Sequence, residues 1–158
     1  MGSKGKGEGG KGNLTQAAIR NPTPQHRKEL PMNSRIRTFE DLVVWQKAIA
    51  FVKQVYLITA ESGLRRDFGL RDQLRRAAVS VPTNIAEGFE RSSRKEYLLF
   101  LNIAKGSAGE VRSLCRVSFD VGYLSQSTYD ELREAALVIS RSLFNQIQAI
   151  KRAPVRSQ

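Results

Sequence analysis

From residue 38 onward, apolar positions recur every three or four residues, the spacing of amphipathic helices. In the first helical stretch, two such series lie side by side. One series comprises Leu42, Trp45, Ile49, Val52 and Tyr56, and the other comprises Val44, Ala48, Phe51, Val55 and Ile58. Helix one is therefore apolar around more of its circumference than one neighbouring helix could cover. We expect it to be central in a bundle or shared with another subunit.

The helix boundaries are predicted from capping residues and glycines. Thr38, followed by two acidic residues, begins helix one, and Gly63 ends it. Helix two begins near Asp67 and approaches its end at Gly88. Pro82 lies inside this helix, and proline removes a backbone donor. We therefore predict a kink or a restart there, with Ser80 as the cap of a restarted piece.

Two further helices complete the pattern. Ser93 and Glu96 form a capping box that begins helix three, which stops at Gly122. The interior glycines of this helix, Gly106 and Gly109, predict close approach of a neighbouring helix. Helix four begins near Ser125 or Ser127 and ends at Lys151 and Arg152. The sequence thus predicts an all-α fold, an up-down-up-down antiparallel four-helix bundle.

The domain organisation follows from a change in composition. Residues 1–37 are rich in Gly, Lys and Pro and are predicted to be a disordered basic arm. This arm either wraps phosphates or is a non-native extension, with Met32 as the natural start. Residues 38–152 form the bundle, and residues 153–158 are a short tail.

The excess of positive charge favours a polyanion as the partner of this protein. The chain has 26 Lys and Arg against 15 Asp and Glu, and residues 38–158 alone carry eighteen basic and thirteen acidic side chains. Lys105, Arg112 and Arg116 form a stripe on helix three without an acidic residue on their immediate face. Two neutralising pairs are predicted on helix two, Asp67 with Arg71 and Asp72 with Arg76. The candidate nucleic-acid-binding residues are Arg65, Arg66, Arg71, Arg75, Arg76, Arg91, Arg94, Lys95, Lys105, Arg112 and Arg116.

Candidate chemistry argues against catalysis. The one histidine, His26, lies in the arm, so the bundle lacks a His-based acid/base pair or triad. The one cysteine, Cys115, falls on an apolar stripe and is predicted to be a buried hydrophobe. No phosphate-binding loop or metal-ligand spacing is present. We expect no enzyme, no cofactor and no metal site. The lone cysteine and the lack of a membrane-spanning segment predict a cytoplasmic protein.

Several motifs resemble those of one protein family. The stretches are Phe39–Ala48 (which contains Trp-Gln-Lys), Leu74–Gly88 (which contains Pro-Thr-Asn-Ile-Ala-Glu-Gly), Ser93–Tyr97 and Leu101–Gly109. They are similar to the bacterial four-helix-bundle proteins encoded in 23S rRNA intervening sequences, and the resemblance covers about Ile36 to Lys151. That family is related to accessory proteins of diversity-generating retroelements.

The resemblance implies a homo-oligomer, a ring-like pentamer with a basic surface suited to RNA or DNA, and it implies no catalytic residues. Because no stretch looks like a base-reading module, we predict low sequence specificity. A reverse transcriptase and its RNA are the implied partners of the retroelement class. The doubled apolar series suits a subunit interface, predicted at Val44, Phe51, Val55 and Ile58. The alternative function is a protein-interaction scaffold that docks an acidic partner. In the Asn84–Gly88 motif, Asn84 and Glu87 either contact a partner or satisfy backbone groups freed by Pro82, and we favour the second interpretation.

Overall fold

The computed structural model describes residues 36–154, so residues 1–35 of the predicted arm and the last four residues lie outside it. Four helices form: α1 (Val43–Glu61), α2 (Phe68–Glu90), α3 (Arg94–Asp120) and α4 (Gln126–Arg152). Short 3-10 helices occur at Phe39–Asp41 and Gly63–Arg65, and residues 36–154 contain no strand. Each helix packs against the next, and α1 also packs against α4. The predicted all-α four-helix bundle is confirmed.

The helix starts follow the predicted capping residues, with one correction. The side chains of Asp67, Ser93 and Ser125 accept the amides of Leu70, Glu96 and Thr128, respectively, as N-caps should. Thr38, by contrast, caps only the 3-10 helix Phe39–Asp41, and α1 begins at Val43. At the opposite end of α3, Gly122 adopts a positive φ of 82°, which terminates the helix as predicted.

The turn before α1 is held by one carboxylate. Asp41 Oδ2 accepts the backbone amides of Arg37 at 2.9 Å and Thr38 at 3.0 Å. These hydrogen bonds lower the pKa of Asp41, because they favour its charged form. The turn leads the chain into α1 with Leu42 buried in the core.

The core contains the second apolar series of α1, which corrects the predicted subunit interface. Val44, Phe51 and Val55 are buried within this chain, and Ile58 is half-buried against the same core. A side chain that is buried within its own bundle cannot also contact a second copy of the protein. The other series is the one that reaches the surface. It leaves Ile49 43% exposed and Tyr56 44% exposed.

Helix α2 runs unbroken through Pro82, so no restart occurs and Ser80 does not cap one. Thr83 Oγ1 donates to the carbonyls of Val79 and Ser80, and Asn84 Nδ2 donates to the Ser80 carbonyl at 2.7 Å. The carbonyl that loses its helical donor at Pro82 is that of Ala78, so these side chains do not replace the missing bond. Asn84 nevertheless bonds the backbone of its own helix, the kind of structural role that we favoured for it.

The glycines of α2 and α3 play different parts. A Cβ built on Gly88 would lie 2.8 Å from Phe100 Cβ and 3.1 Å from Tyr97 Cδ2, so α2 and α3 meet closely there. A Cβ on Gly106 or Gly109 would meet nothing within 4 Å. The close approach predicted at these two glycines is wrong. Around these two glycines, the small residues that α3 buries are Ala104, Ser107 and Ala108.

Candidate nucleic-acid interface

The predicted stripe of α3 borders α4 and continues onto it. We call the surface formed by Lys105, Arg112, Arg116 and Arg133 the α3/α4 basic face. Arg112 of α3 and Arg133 of α4 line one groove of about 320 Å³. The remaining lining residues are Gly109, Ser113, Tyr129 and Leu137. The structure thus brings together two guanidinium groups that lie 21 positions apart in the sequence.

The groove offers hydrogen-bond donors without an opposing negative charge. Within residues 36–154, neither Arg112 nor Arg133 forms an ion pair. Among the described residues that line the groove, none carries a carboxylate, and Ser113 and Tyr129 add hydroxyl groups. Gly109 contributes no side chain to the lining. An arginine fork can donate two hydrogen bonds to one phosphate, so the groove is chemically suited to that anion.

The two other members of the face, Lys105 and Arg116, contact neighbouring side chains. Lys105 Nζ lies 5.5 Å from the centroid of the Phe144 ring. Arg116 Nε donates to Asp120 Oδ2 at 2.8 Å, so the predicted stripe does have an acidic residue beside it. This hydrogen bond raises the pKa of Arg116. Both partners of the pair are more than half exposed, so the pair contributes little to stability and its arginine can exchange Asp120 for phosphate.

A second basic surface lies between α1 and α2. Arg75 Nε donates to Thr59 Oγ1 at 2.8 Å, and its guanidinium carbon lies 4.6 Å from the Tyr56 ring centroid. Arg75 and Arg76 line a groove of about 610 Å³. Within residues 36–154, neither of them forms an ion pair. These two arginines therefore remain candidates for anion contact.

The predicted pairs on α2 are wrong. Arg71 pairs with its neighbour Asp72 at 3.0 Å, whereas Asp67 is occupied in capping the helix. Arg71 also lies 4.7 Å from the centroid of the exposed Phe68 ring. Arg76 is left without the predicted Asp72 partner. The capping role of Asp67 and the competition between adjacent side chains explain both outcomes.

The cations around the loop between α2 and α3 are engaged in structure. Arg91 pairs with Glu87 at 2.5 Å and with Glu96 at 3.8 Å, and the Glu87 hydrogen bond raises the pKa of Arg91. Arg94 donates to the carbonyl of Ile150, which ties the start of α3 to the end of α4. By contrast, Lys95 and the first-loop residues Arg65 and Arg66 are exposed. None of these cations lines the groove of Arg112 and Arg133.

Cys115 is buried, as predicted. Burial raises the pKa of its thiol to about 12, because the charged thiolate would lose its hydration. In residues 36–154, no three His, Cys, Asp or Glu side chains cluster as a metal site would require. None of the helices described is both long and apolar enough to cross a bilayer.

Comparison with known proteins identifies the family of this bundle. The family model for 23S rRNA-intervening sequence protein matches residues 40–145. The chain belongs to that family. A solved structure from Bacteroides thetaiotaomicron, a protein of unknown function from the S23 ribosomal protein family, has a TM-score of 0.63 and 24% identity. The similarity covers 67% of this chain and 96% of that one, and shows a shared fold. No curated protein matches this chain.

The stretch shared with the 23S rRNA-intervening sequence family contains both basic surfaces. Residues 40–145 include Arg75, Arg76, Arg112 and Arg133, and exclude the basic arm. They also include the motif around Asn84, whose amide bonds Ser80 Oγ at 2.9 Å. Ser80 in turn shares a 2.9 Å hydrogen bond with Ser107, which links α2 to α3. In this family member, the motif is therefore part of the helix-packing architecture.

Proposed function

We propose that this protein is a non-catalytic nucleic-acid-binding bundle, which contacts phosphates through the α3/α4 basic face. The observation that carries the proposal is the groove in which Arg112 and Arg133 converge beside two hydroxyl groups. Guanidinium groups and hydroxyls of this kind contact phosphate and sugar, which positions a nucleic acid without reading its sequence. We therefore expect low sequence specificity.

Salt-titrated binding to mixed-sequence RNA tests the proposal. The double variant Arg112→Gln with Arg133→Gln should weaken binding at least roughly tenfold at about 50 mM salt, because two phosphate contacts are lost. It should also reduce the slope of log K against log salt by about 1 to 2, since fewer counterions are released.

The matched control removes two charges elsewhere. Lys47→Gln with Lys53→Gln lowers the net charge equally, and both side chains are exposed outside the groove and form no ion pair within residues 36–154. The control should change the affinity by less than about twofold if the groove carries the phosphate contacts. Equal losses in the two double variants would refute a localised site. Failure of the unaltered protein to bind RNA at low salt would refute nucleic-acid binding and favour a scaffold for an acidic protein.

We also propose a homo-oligomer, a pentameric ring in keeping with the family resemblance. Four large apolar side chains are exposed along one line of α3 and its C-cap, as two pairs with exposed Gly106 and Glu110 between them: Leu99, Ile103, Val117 and Val121. At about 100° per residue, these positions lie within about 40° of one another around the helix. Exposed apolar patches of this kind mark interaction surfaces. A ring would gather the basic faces and add their weak contacts by avidity.

Sedimentation and light scattering at several concentrations test the assembly. The variant Ile103→Glu with Val117→Glu should reduce the mass to that of one subunit and leave the helical circular dichroism unchanged, because the introduced charges would be costly in a buried interface. Val43→Glu, an exposed apolar position on α1, should preserve the oligomer. A single-subunit mass for the unaltered protein at every concentration would overturn the proposal.

The proposed cellular setting is either a reverse-transcriptase accessory factor or a protein tied to 23S rRNA intervening sequences. Its family membership supports the second setting. The relation of that family to retroelement accessory proteins supports the first. Neighbouring genes distinguish the two. A reverse transcriptase with a repeated template region identifies the retroelement class, whereas placement inside a 23S rRNA gene identifies the intervening-sequence class.

A further inference from the structure

We infer that the groove between α1 and α2 stacks a base of single-stranded RNA, an inference that rests on the proposed nucleic-acid binding. The groove has a volume of about 610 Å³. It is lined by Tyr56, Asp72, Arg75, Arg76, Val79, Ser80 and Thr83. An exposed ring, two arginines and two hydroxyls thus share one opening.

The arginine at the wall of this groove is held in place. Thr59 is fully buried, and its hydroxyl donates to the Tyr56 carbonyl at 3.1 Å while it accepts Arg75 Nε at 2.8 Å. These bonds position the guanidinium over the Tyr56 ring. One of its five donor hydrogens is used by Thr59, and the others stay available. A preorganised side chain loses less conformational entropy when it binds a ligand.

The local charge favours a polyanion. Arg76 is exposed, and neither it nor Arg75 pairs with a carboxylate in the described part of the chain. The carboxylate in the lining, Asp72, is already paired with Arg71. The cationic groups can therefore contact phosphates on either side of a bound base.

The aromatic ring selects single strands over duplexes. Tyr56 is 44% exposed, and the guanidinium of Arg75 lies over one face of its ring, so a base can stack on the other ring face or on the guanidinium plane. Aromatic rings and guanidinium planes stack on splayed bases of single-stranded RNA. In a duplex, the base faces are already stacked within the helix and cannot enter such a groove. The α3/α4 basic face, by contrast, is proposed to contact phosphates, which single strands and duplexes both present.

The test uses the full chain and an RNA of about 12 nucleotides that carries 2-aminopurine, as a single strand and as a duplex. Tyr56→Leu should weaken single-strand binding roughly five- to tenfold and leave duplex binding unchanged. Arg75→Lys keeps the charge and removes the planar fork, so it should act in the same direction with an unchanged salt slope. Quenching of 2-aminopurine fluorescence, the signature of stacking, should be lost in Tyr56→Leu.

Two further variants make the result decisive. Tyr56→Phe keeps the ring and should bind as the unaltered protein does. Leu57→Ala alters an exposed side chain that does not line the groove and should also leave binding unchanged. Equal loss of single-strand and duplex binding in Tyr56→Leu, or no loss, would overturn the inference. A changed oligomer mass in that variant would show that the groove is a subunit contact. Failure of the proposed function looks different, because the unaltered protein would bind neither RNA.

Discussion

Replacement of Phe51 by alanine is expected to lower the free energy of unfolding by about 3–5 kcal/mol, the range measured for large aromatic side chains in cores. Phe51 is 1% exposed and packs inside the bundle, so its removal leaves a cavity as well as losing apolar burial. Urea denaturation followed by circular dichroism measures the change, provided that the transition remains two-state.

Ile49→Ala is the matched control for this experiment. Ile49 lies on the same helix two positions earlier and is 43% exposed. Its truncation in the single subunit should cost less than about 1 kcal/mol. If Phe51→Ala proved as mild as Ile49→Ala in folding but broke the oligomer, Phe51 would belong to a subunit interface, contrary to its position in the core.

Gly88→Ala is expected to destabilise the bundle by up to about 2 kcal/mol. Alanine is a better helix former than glycine by about 1 kcal/mol, which favours the variant. The new Cβ would lie 2.8 Å from Phe100 Cβ, however, and an overpacked core typically loses about 1–3 kcal/mol. Phe100 Cβ is attached directly to the backbone of α3, so relief requires the two helices to move apart. The denaturant midpoint measures the net result.

Gly106→Ala supplies the control with the opposite sign. A Cβ at Gly106 would meet nothing within 4 Å, so the propensity gain of about 0.5–1 kcal/mol should stabilise the single subunit. Stabilisation by both alanine variants would show that α2 and α3 are farther apart at Gly88 than the structure places them. Measurement in dilute solution keeps any contact between copies out of the comparison.

The α3/α4 basic face and the α1/α2 groove suggest a division of labour within the proposed function. The first presents Arg112 and Arg133 to phosphates, and the second presents Tyr56 beside Arg75 to a base. Binding through the α3/α4 basic face should weaken steeply with added salt. Binding through the α1/α2 groove should instead depend on whether the RNA is single-stranded or a duplex, because it requires base stacking. Separate variants of the two surfaces can therefore be distinguished in one set of binding curves.

The cations differ in availability in a way that charge counting does not show. Arg91 and Arg94 carry the same formal charge as Arg112, yet they are held by carboxylates or by a backbone carbonyl. A polyanion must displace those contacts before it gains its own. We therefore rank the loop arginines below the groove arginines as binding residues.

The sequence by itself determined the helices. Their starts at Asp67, Ser93 and Ser125 and the end at Gly122 depend on capping and on glycine conformation, which are interactions within a few residues. The overall architecture followed from the apolar spacing and from the short connections.

Only the tertiary structure decided which apolar series faces inward, because both series of α1 have the same spacing and differ only in what packs against them. It also brought Arg133 beside Arg112, a pairing between helices that no local pattern records. Gly88 and Gly106 look alike in the sequence, yet one lies against Phe100 and the other is open. Local chemistry shapes each helix, whereas the rotation of each helix about its own axis is settled by the packing of all four.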